Sequence, residues 1–390
     1  MRASTTLFLL IFLAGLLFLA ACETEPEPMV VWSNVPDTAF LVELYNAERD
    51  QPVHFRYISN LTEALTQQRV DADVVIGRWV NNPPARAVMI RDGDNDPWTP
   101  LAFNLGTIVF DASRVRLAPD LSVTPEELGE NLRLLRDNPD DDPPPMRFVP
   151  SLSARFLYEM VRIGGVVPEP FPEGGPRWSA ENYDRAFEGV REWQERWNGS
   201  AREEREYRER FLYEPWYRLL ENQRVLAVYL PSNQFLDWSF FAGSSLDFRW
   251  LRDGEGLVRV LEDVVYAGIP EASASRNRAR QFISWIRETE TQVSLMEHKI
   301  EQRIDTFGVF GGFSTEPEVN RRMGREIYGE LAGRIPEPDM LALPGPRPRY
   351  WDEALEAVVH PYLAAAAGGS DSDGEQLGRQ LRRWYDQRGD

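Results

Sequence analysis

"MVVWSNVPDTAFLVELYNAERDQPVHFRYISNLTEALTQQRVDADVVIGRW", residues 29–79, decides how the rest of the chain reads. "MVVWSN" is a short apolar run, and Asp37 is placed to cap the helix "TAFLVELYNAER". "VHFRYIS" is a second strand. Asn60 with Glu63 three residues on is a capping-box pattern that opens the helix "LTEALTQQR". "DVVIG" is then a third strand, apolar throughout as a parallel strand covered on both faces must be. Strands alternating with helices at this spacing predict an α/β fold with a parallel sheet.

The same alternation returns downstream. After "FNLGTIVFDASRV", Thr124 and Glu127 predict a second capping box, on a helix to about Arg136. The "DNPDDDPPP" loop follows, then a strand at "MRFVPS" and a helix over "LSARFLYEMVRIGG" closed by glycines. A further helix spans about Ala180 to Trp197. The Arg/Glu-rich "AREEREYRER" predicts a solvated helix face. "RVLAVYLPSN" reads as strand then turn. Two α/β units predict two lobes, with the ligand beyond the carboxyl ends of the strands.

Upstream of this pattern, Arg2 is the only charge before an apolar run from Leu7 to Ala21. Such a leader reads as a secretory signal peptide, residues 1–21, too short for a membrane span of about 20 apolar residues. It ends in Leu19-Ala20-Ala21-Cys22, similar to the bacterial lipobox, and Cys22 is the only cysteine of the 390 residues. The similarity implies a palmitate-bearing lipoprotein anchored at Cys22 on the extracytoplasmic side, in the periplasm or at the cell surface. Two or more acyl chains hold a protein to a membrane stably. Residues 22–28 read as a tether. With no disulfide possible within one chain, stability must come from the core. The net charge of −19 argues against nucleic acid, which demands a basic footprint. Arginine stands nearly everywhere for lysine, Lys299 excepted, which reads as a composition bias.

Residues 264–297, "VVYAGIPEASASRNRARQFISWIRETETQVSLME", resemble the solute-binding proteins of bacterial ABC importers. The resemblance rests on Ala267-Gly268-Ile269, on Ser273 to Asn277, on Ala279, Phe282 and Trp285, and on Glu290 and Gln292. "GVFGGFSTEPEV" is similar to the passage that crosses back to the second lobe in that superfamily. "IPEPDMLALPGPRPRYWDEALEAVVHPYLAAAAGG" resembles the closing part of its sugar-binding subgroup, which includes maltose-binding protein. The charged stretch from Gly199 to Arg210 departs from the pattern as an insertion. The resemblance implies a type II periplasmic-binding-protein fold, each lobe a mixed, mostly parallel sheet flanked by helices. It places lobe 1 at 29–111 plus 257–312 and lobe 2 at 112–256 plus 313–390, with crossings near Asp111, Gly256 and Gly312. It implies hinge closure around one small solute, a carbohydrate first, and delivery by a monomer to the subunits of a membrane permease. No cofactor, metal or nucleic acid enters that reading.

In such a cleft aromatic faces stack on sugar C–H faces while polar groups bond the hydroxyls. Trp32, Trp79, Tyr229 and Trp351 are the stacking candidates. Trp32 and Trp79 equally suit a core that fills the gap between strand and helix, and Trp351 equally suits a helix–core contact. Ser33, Asn34, Asn104, Ser151 and Ser232 are candidates for hydroxyl contacts, or else caps and turns. Arg78 would meet an anionic solute, or pair with a carboxylate. Phe310 to Phe313 reads either as a turn or as a hinge bearing a solute-facing aromatic, Phe313.

Enzyme readings find less support. His54, His298 and His360 are isolated from one another, and no P-loop or dinucleotide fingerprint occurs. Asp92, Asp94 and Asp96 begin a calcium-loop spacing, but Pro97 and Phe103 stand where the loop needs Gly and Glu. The alternatives kept are a lipid-anchored glycoside hydrolase and an interaction scaffold with a degenerate cleft.

Overall fold

The computed structural model describes residues 27–49, 51–67, 70–91, 96–117, 119–133, 146–168, 179–211, 213–239 and 245–388. The leader, Cys22 and most of the tether lie outside the described residues, as do the acidic 140–145 loop, Asp92 and Asp94.

In chain order the strands are β1 (Met29–Ser33), β2 (Val53–Tyr57), β3 (Val74–Arg78), β4 (Thr99–Phe103), β5 (Gly106–Asp111), β6 (Ser122–Val123), β7 (Ala227–Pro231), β8 (Leu246–Leu251), β9 (Val258–Arg259), β10 (Val265–Gly268), β11 (Phe313–Ser314) and β12 (Leu341–Ala342). The first lobe is built on a sheet ordered β11-β4-β10-β3-β1-β2, in which β2, β1 and β3 are mutually parallel and β10 and β4 run against their neighbours. The second is built on β6-β8-β5-β7, and β12 pairs β9 in a small parallel ribbon. The opening alternation is thus observed as read. Helix Thr38–Glu48 joins β1 to β2, and helix Leu61–Gln67 joins β2 to β3.

The second capping box forms completely, and the first forms in half. The Glu63 amide donates to Asn60 Oδ1 at 3.2 Å and the Asn60 side chain returns a bond to Glu63 Oε2 at 2.8 Å. At the other helix the Glu127 amide donates to Thr124 Oγ1 at 3.2 Å and the Thr124 amide donates to Glu127 Oε2 at 2.8 Å, which completes the box. Asp37 makes no cap bond. Its carboxylate instead meets the Lys299 ammonium at 2.5 Å in a buried ion pair, and that ammonium also donates to the Gly308 carbonyl at 2.9 Å.

Three further expectations differ. "MRFVPS" contributes only an isolated bridge, Met146 to Val225, before Pro150 opens a single 3-10 turn. A proline supplies no ladder donor, so a strand ends there. The turn expected after β7 is a helix, Ser232–Ser239. Helix Ala201–Phe211 is charged but not wholly solvated. Glu204 is fully buried and accepts bonds from Gln194 at 2.7 Å and Asn198 at 2.5 Å.

The lobe boundaries also shift. β5 belongs to the second sheet, so the chain leaves the first between Phe103 and Gly106 and not at Asp111. It returns between β9 and β10, beyond Gly256. Phe313–Ser314 still pairs with β4 in the first sheet, so Gly312 marks no exit. The final passage follows β12, and Trp351 is already in the core of the second lobe. The apolar cluster of the first lobe continues beneath the crossings onto one face of β7 and β8.

Candidate functional site

The crossings are stitched together by one side chain. Asn104 donates to Asp263 Oδ2 and to the Gly311 carbonyl, each at 3.2 Å, and accepts from the Ser232 hydroxyl at 3.0 Å. Ser232 in turn accepts from the Leu105 amide at 3.0 Å. The Leu261 amide bonds the Asn104 carbonyl at 2.8 Å, so the first two passages run side by side. At Gly312 a Cβ would stand 2.5 Å from the Phe103 carbonyl oxygen, which is why a glycine stands immediately before β11.

In front of the crossings lies a cleft of about 550 Å3. The first lobe contributes Arg78 and Trp79 from the end of β3, and the crossing contributes Leu261, Glu262 and Asp263. The second lobe contributes Arg155, Tyr158 and Glu159 from helix Ala154–Ile163, Tyr229 and Pro231 from β7, Asn233 from the helix that follows it, and Asp352, Glu356 and His360 from the last passage. The carboxyl ends of the strands therefore meet here, as the α/β rule requires.

Trp79 has φ of +61°, a left-handed conformation that a bulky residue adopts only when its surroundings impose it. Its carbonyl is held by Thr62 at 3.2 Å and Asn82 at 3.0 Å. The half-buried ring projects from the first lobe and packs against the apolar cluster of the second. Tyr229 of β7 also lines the cleft, its buried ring packed 5.5 Å from that of Phe156. Burial pushes its phenol well above the usual value, so the group stays a neutral hydroxyl.

The floor is a buried charge network. Glu262 accepts from Arg347 at 2.5 Å, from Tyr158 at 3.0 Å and from Trp351 Nε1 at 2.9 Å. Arg162 holds Glu159 through two bonds of 2.8 Å and reaches the Val260 carbonyl at 3.0 Å. Burial drives the Glu262 carboxyl upward, but Arg347 and Arg162 outweigh it and hold the group below its ordinary value. At Glu159 burial outweighs the pull of Arg162, and the group sits above its ordinary value. Helix Trp351–Ala354 runs into a π turn, Leu355–Val359, before His360–Ala367. Pro361 brings no N–H to this helix, and the wider turn aims Leu355, Glu356 and His360 at the cleft.

Of the residues singled out from sequence, Arg78, Trp79 and Tyr229 line the cleft. Trp351 is 1% exposed and spends its indole N–H on Glu262, so it is core and not a stacking platform. Trp32 and Phe313 are likewise interior, since both sit in strands covered on both faces. Ser33 closes the turn after β1 through Val35 and Thr38. Asn34 clamps the Arg78 backbone at 2.9 and 3.2 Å, tying the ends of β1 and β3. Asn104 and Ser232 hold the crossings, and buried Ser151 lies beside the Glu204 carboxylate. Arg78 donates to the Phe310 carbonyl at 2.6 Å, while its Nε is buried with no hydrogen-bond partner. Asp96 pairs with Arg86 at 2.9 Å and also caps the Trp98 amide at 2.9 Å.

The cyclic alpha-maltosyl-1,6-maltose binding protein of Arthrobacter globiformis superposes with a TM-score of 0.58, over 92% of this chain and 97% of its own, at 13% identity. A sugar transporter of Rhizobium etli, solved in an open conformation, gives 0.60 over 91% and 99% at 11% identity. The fold is that of a two-lobed solute-binding protein. The GacH receptor of Streptomyces glaucescens, solved unliganded and with acarbose, gives 0.55 over 92% and 97% at 9% identity. No family model matches the sequence, and no curated protein matches it. The likeness is one of fold, at 9% to 13% identity. Among the described residues no helix is long and apolar enough to cross a membrane.

Proposed function

We propose that this protein captures a carbohydrate between its lobes and presents it, as a lipid-anchored monomer, to the subunits of an ABC permease. The observation that carries the reading is Trp79, a strained aromatic from one lobe that overhangs a cavity walled by the other. Strain of this kind persists where the surroundings over-determine it, as at ligand clamps. A solute touching both lobes favours the closed arrangement over the open one, and the passages at 104–105, 260–264 and 343–350 would serve as the hinge.

The charges of the cleft favour a neutral hydroxylated solute over an anion. Its carboxylates outnumber its cations. Asp263 Oδ1 is buried with no hydrogen-bond partner, so it calls for a donor such as a sugar hydroxyl. The solved relatives bind sugars by their names, which supports the same choice. Binding by closure asks for no chemistry of its own.

A thermal-shift panel of the full-length protein tests this against mono- and oligosaccharides, amino acids and small anions. A sugar at about a thousand times its Kd should add ~4 kcal/mol of stability. A response to anions or amino acids alone would contradict the proposal. For the anchor, Cys22→Ser should move the protein from membranes to the soluble fraction, and retention in the membrane would contradict lipidation.

A further inference from the structure

One face of the first lobe runs against the charge of the whole chain, which is −19. From Ala272 to Arg287 the sequence holds four arginines and no carboxylate. Helix Arg276–Arg287 buries Ala279, Phe282, Trp285 and Ile286, which leaves Arg276, Asn277, Arg280, Gln281, Ser284 and Arg287 as its exposed stripe. Arg276 donates to the Glu271 carbonyl at 2.6 Å and Arg278 to the Glu27 carbonyl at 3.1 Å. Bonds to carbonyls place these guanidinium groups without cancelling their charge. At the far end Arg287 pairs with Glu316 at 2.7 Å. The patch is therefore Arg276, Arg278 and Arg280, bordered by the exposed side chains of Glu27 and Glu271.

The start of this helix is pinned where the chain enters the lobe. Asp73, just before β3, accepts from the Val30 amide at 3.0 Å, from the Ser273 hydroxyl at 2.8 Å and from the Ser275 amide at 3.1 Å. One carboxylate thus ties the beginning of β1 to the beginning of the helix. Gly268 ends β10 opposite Val75, at the amino end of β3, so the helix begins at the end of the sheet remote from the cleft. Cys22 stands five residues before Glu27 in the chain. At no more than about 3.6 Å per residue, an acylated Cys22 holds Glu27, and Arg278 with it, within ~18 Å of its membrane. An arginine near an anionic leaflet is worth about 1 kcal/mol, an attraction that salt screens over about 8 Å.

We infer that this face of the first lobe docks on anionic phospholipid headgroups. The inference rests on the lipid-anchor reading and adds an orientation to it. Arg276, Arg278 and Arg280 meet the headgroup phosphates, while the acidic remainder of the molecule is repelled by the same surface. The anchored protein then stands with its cleft turned away from the membrane, toward incoming solute. Delivery to a permease requires the patch to let go, which a screened contact of three arginines permits.

The test uses full-length, acylated protein on phosphatidylcholine vesicles with or without phosphatidylglycerol. Because Cys22 is the only native cysteine and is acylated, Gln281→Cys supplies a single thiol for a fluorophore on the exposed stripe. Tyr213→Cys supplies one on the second lobe, where Tyr213 is 95% exposed. Lipids carrying a headgroup nitroxide quench whichever probe lies at the surface. On anionic vesicles the probe at 281 should be quenched about twofold or more beyond the probe at 213. That excess should vanish on neutral vesicles, at high salt, and in an Arg276→Gln, Arg280→Gln double variant that remains attached. Equal quenching of the two probes, or an excess that neutral lipid, high salt or the double variant leaves intact, would overturn the docking face and leave the anchor standing. Protein that attaches to neither kind of vesicle would overturn the anchor reading, and the docking face with it.

Discussion

At the scale of single residues, Lys299 shows what a composition cannot reveal. As the only lysine of the chain it reads as an accident of arginine-rich usage, yet it is 1% exposed and closes a buried pair with Asp37. A compact ammonium satisfies one carboxylate and one carbonyl there, whereas a guanidinium carries a planar five-donor fork. Burial pulls its pKa down while Asp37 pulls it up, with the net shift downward. Lys299→Met should cost about 3–5 kcal/mol, because it strands the Asp37 charge, and urea unfolding measures it. A second residue-scale expectation concerns His360. Burial lowers its pKa below 6.5 against the opposing pull of Glu356, with Arg155 adding to the lowering. A depressed histidine contributes stability that is present above its unfolded value and lost as pH falls from about 6.5 toward the folded one. The stability difference between wild type and His360→Gln should therefore shrink across that window, as melting curves at pH 7.5 and 5.5 would show. A constant difference would contradict it. The cleft tryptophan was legible only in part. Trp32 lies within β1, Trp79 follows β3 and Trp351 opens a helix, but the left-handed turn that brings Trp79 out is set by Thr62 and Asn82, which no local pattern announces.

At the scale of elements, local chemistry was the better guide. Asn60 and Thr124 cap their helices as their spacing implies, because a capping box is complete within four residues. Asn60→Ala should lower stability by about 1 kcal/mol without altering any sugar affinity, which chemical denaturation and titration together would check. Asp37 has the right spacing and no cap, since a long-range partner outbids the local amide. The same competition explains the charged helix at Ala201–Phe211. Its sequence reports eleven mostly polar residues, but Glu204 finds Gln194 and Asn198 in another helix and turns one face inward. The π turn at Leu355–Val359 was also out of reach, although Pro361 marks the place where the helical ladder lacks a donor.

At the scale of the whole molecule, the alternation of strands and helices sufficed for two α/β lobes, and the crossings had to come from the sheets. β4 and β5 read as one passage, "PLAFNLGTIVFD", yet Asn104 splits it between two sheets and ties the junction to Asp263, Gly311 and Ser232. Those partners lie over 120 residues away, beyond any window of sequence. The cleft follows from that junction, because it brings the end of β3 opposite the end of β7. Polar residues of the last passage, Asp352, Glu356 and His360, join the site for the same reason and carry no motif that would have flagged them.

The most direct test of a solute held between the lobes is calorimetric titration of Trp79→Ala beside wild type, using the sugar series that stabilises the protein. The ring is half-buried and at the mouth of the site, so its loss should leave the melting temperature within a few degrees while weakening binding about tenfold or more. An unchanged Kd in a folded Trp79→Ala protein would place the solute elsewhere and contradict the account.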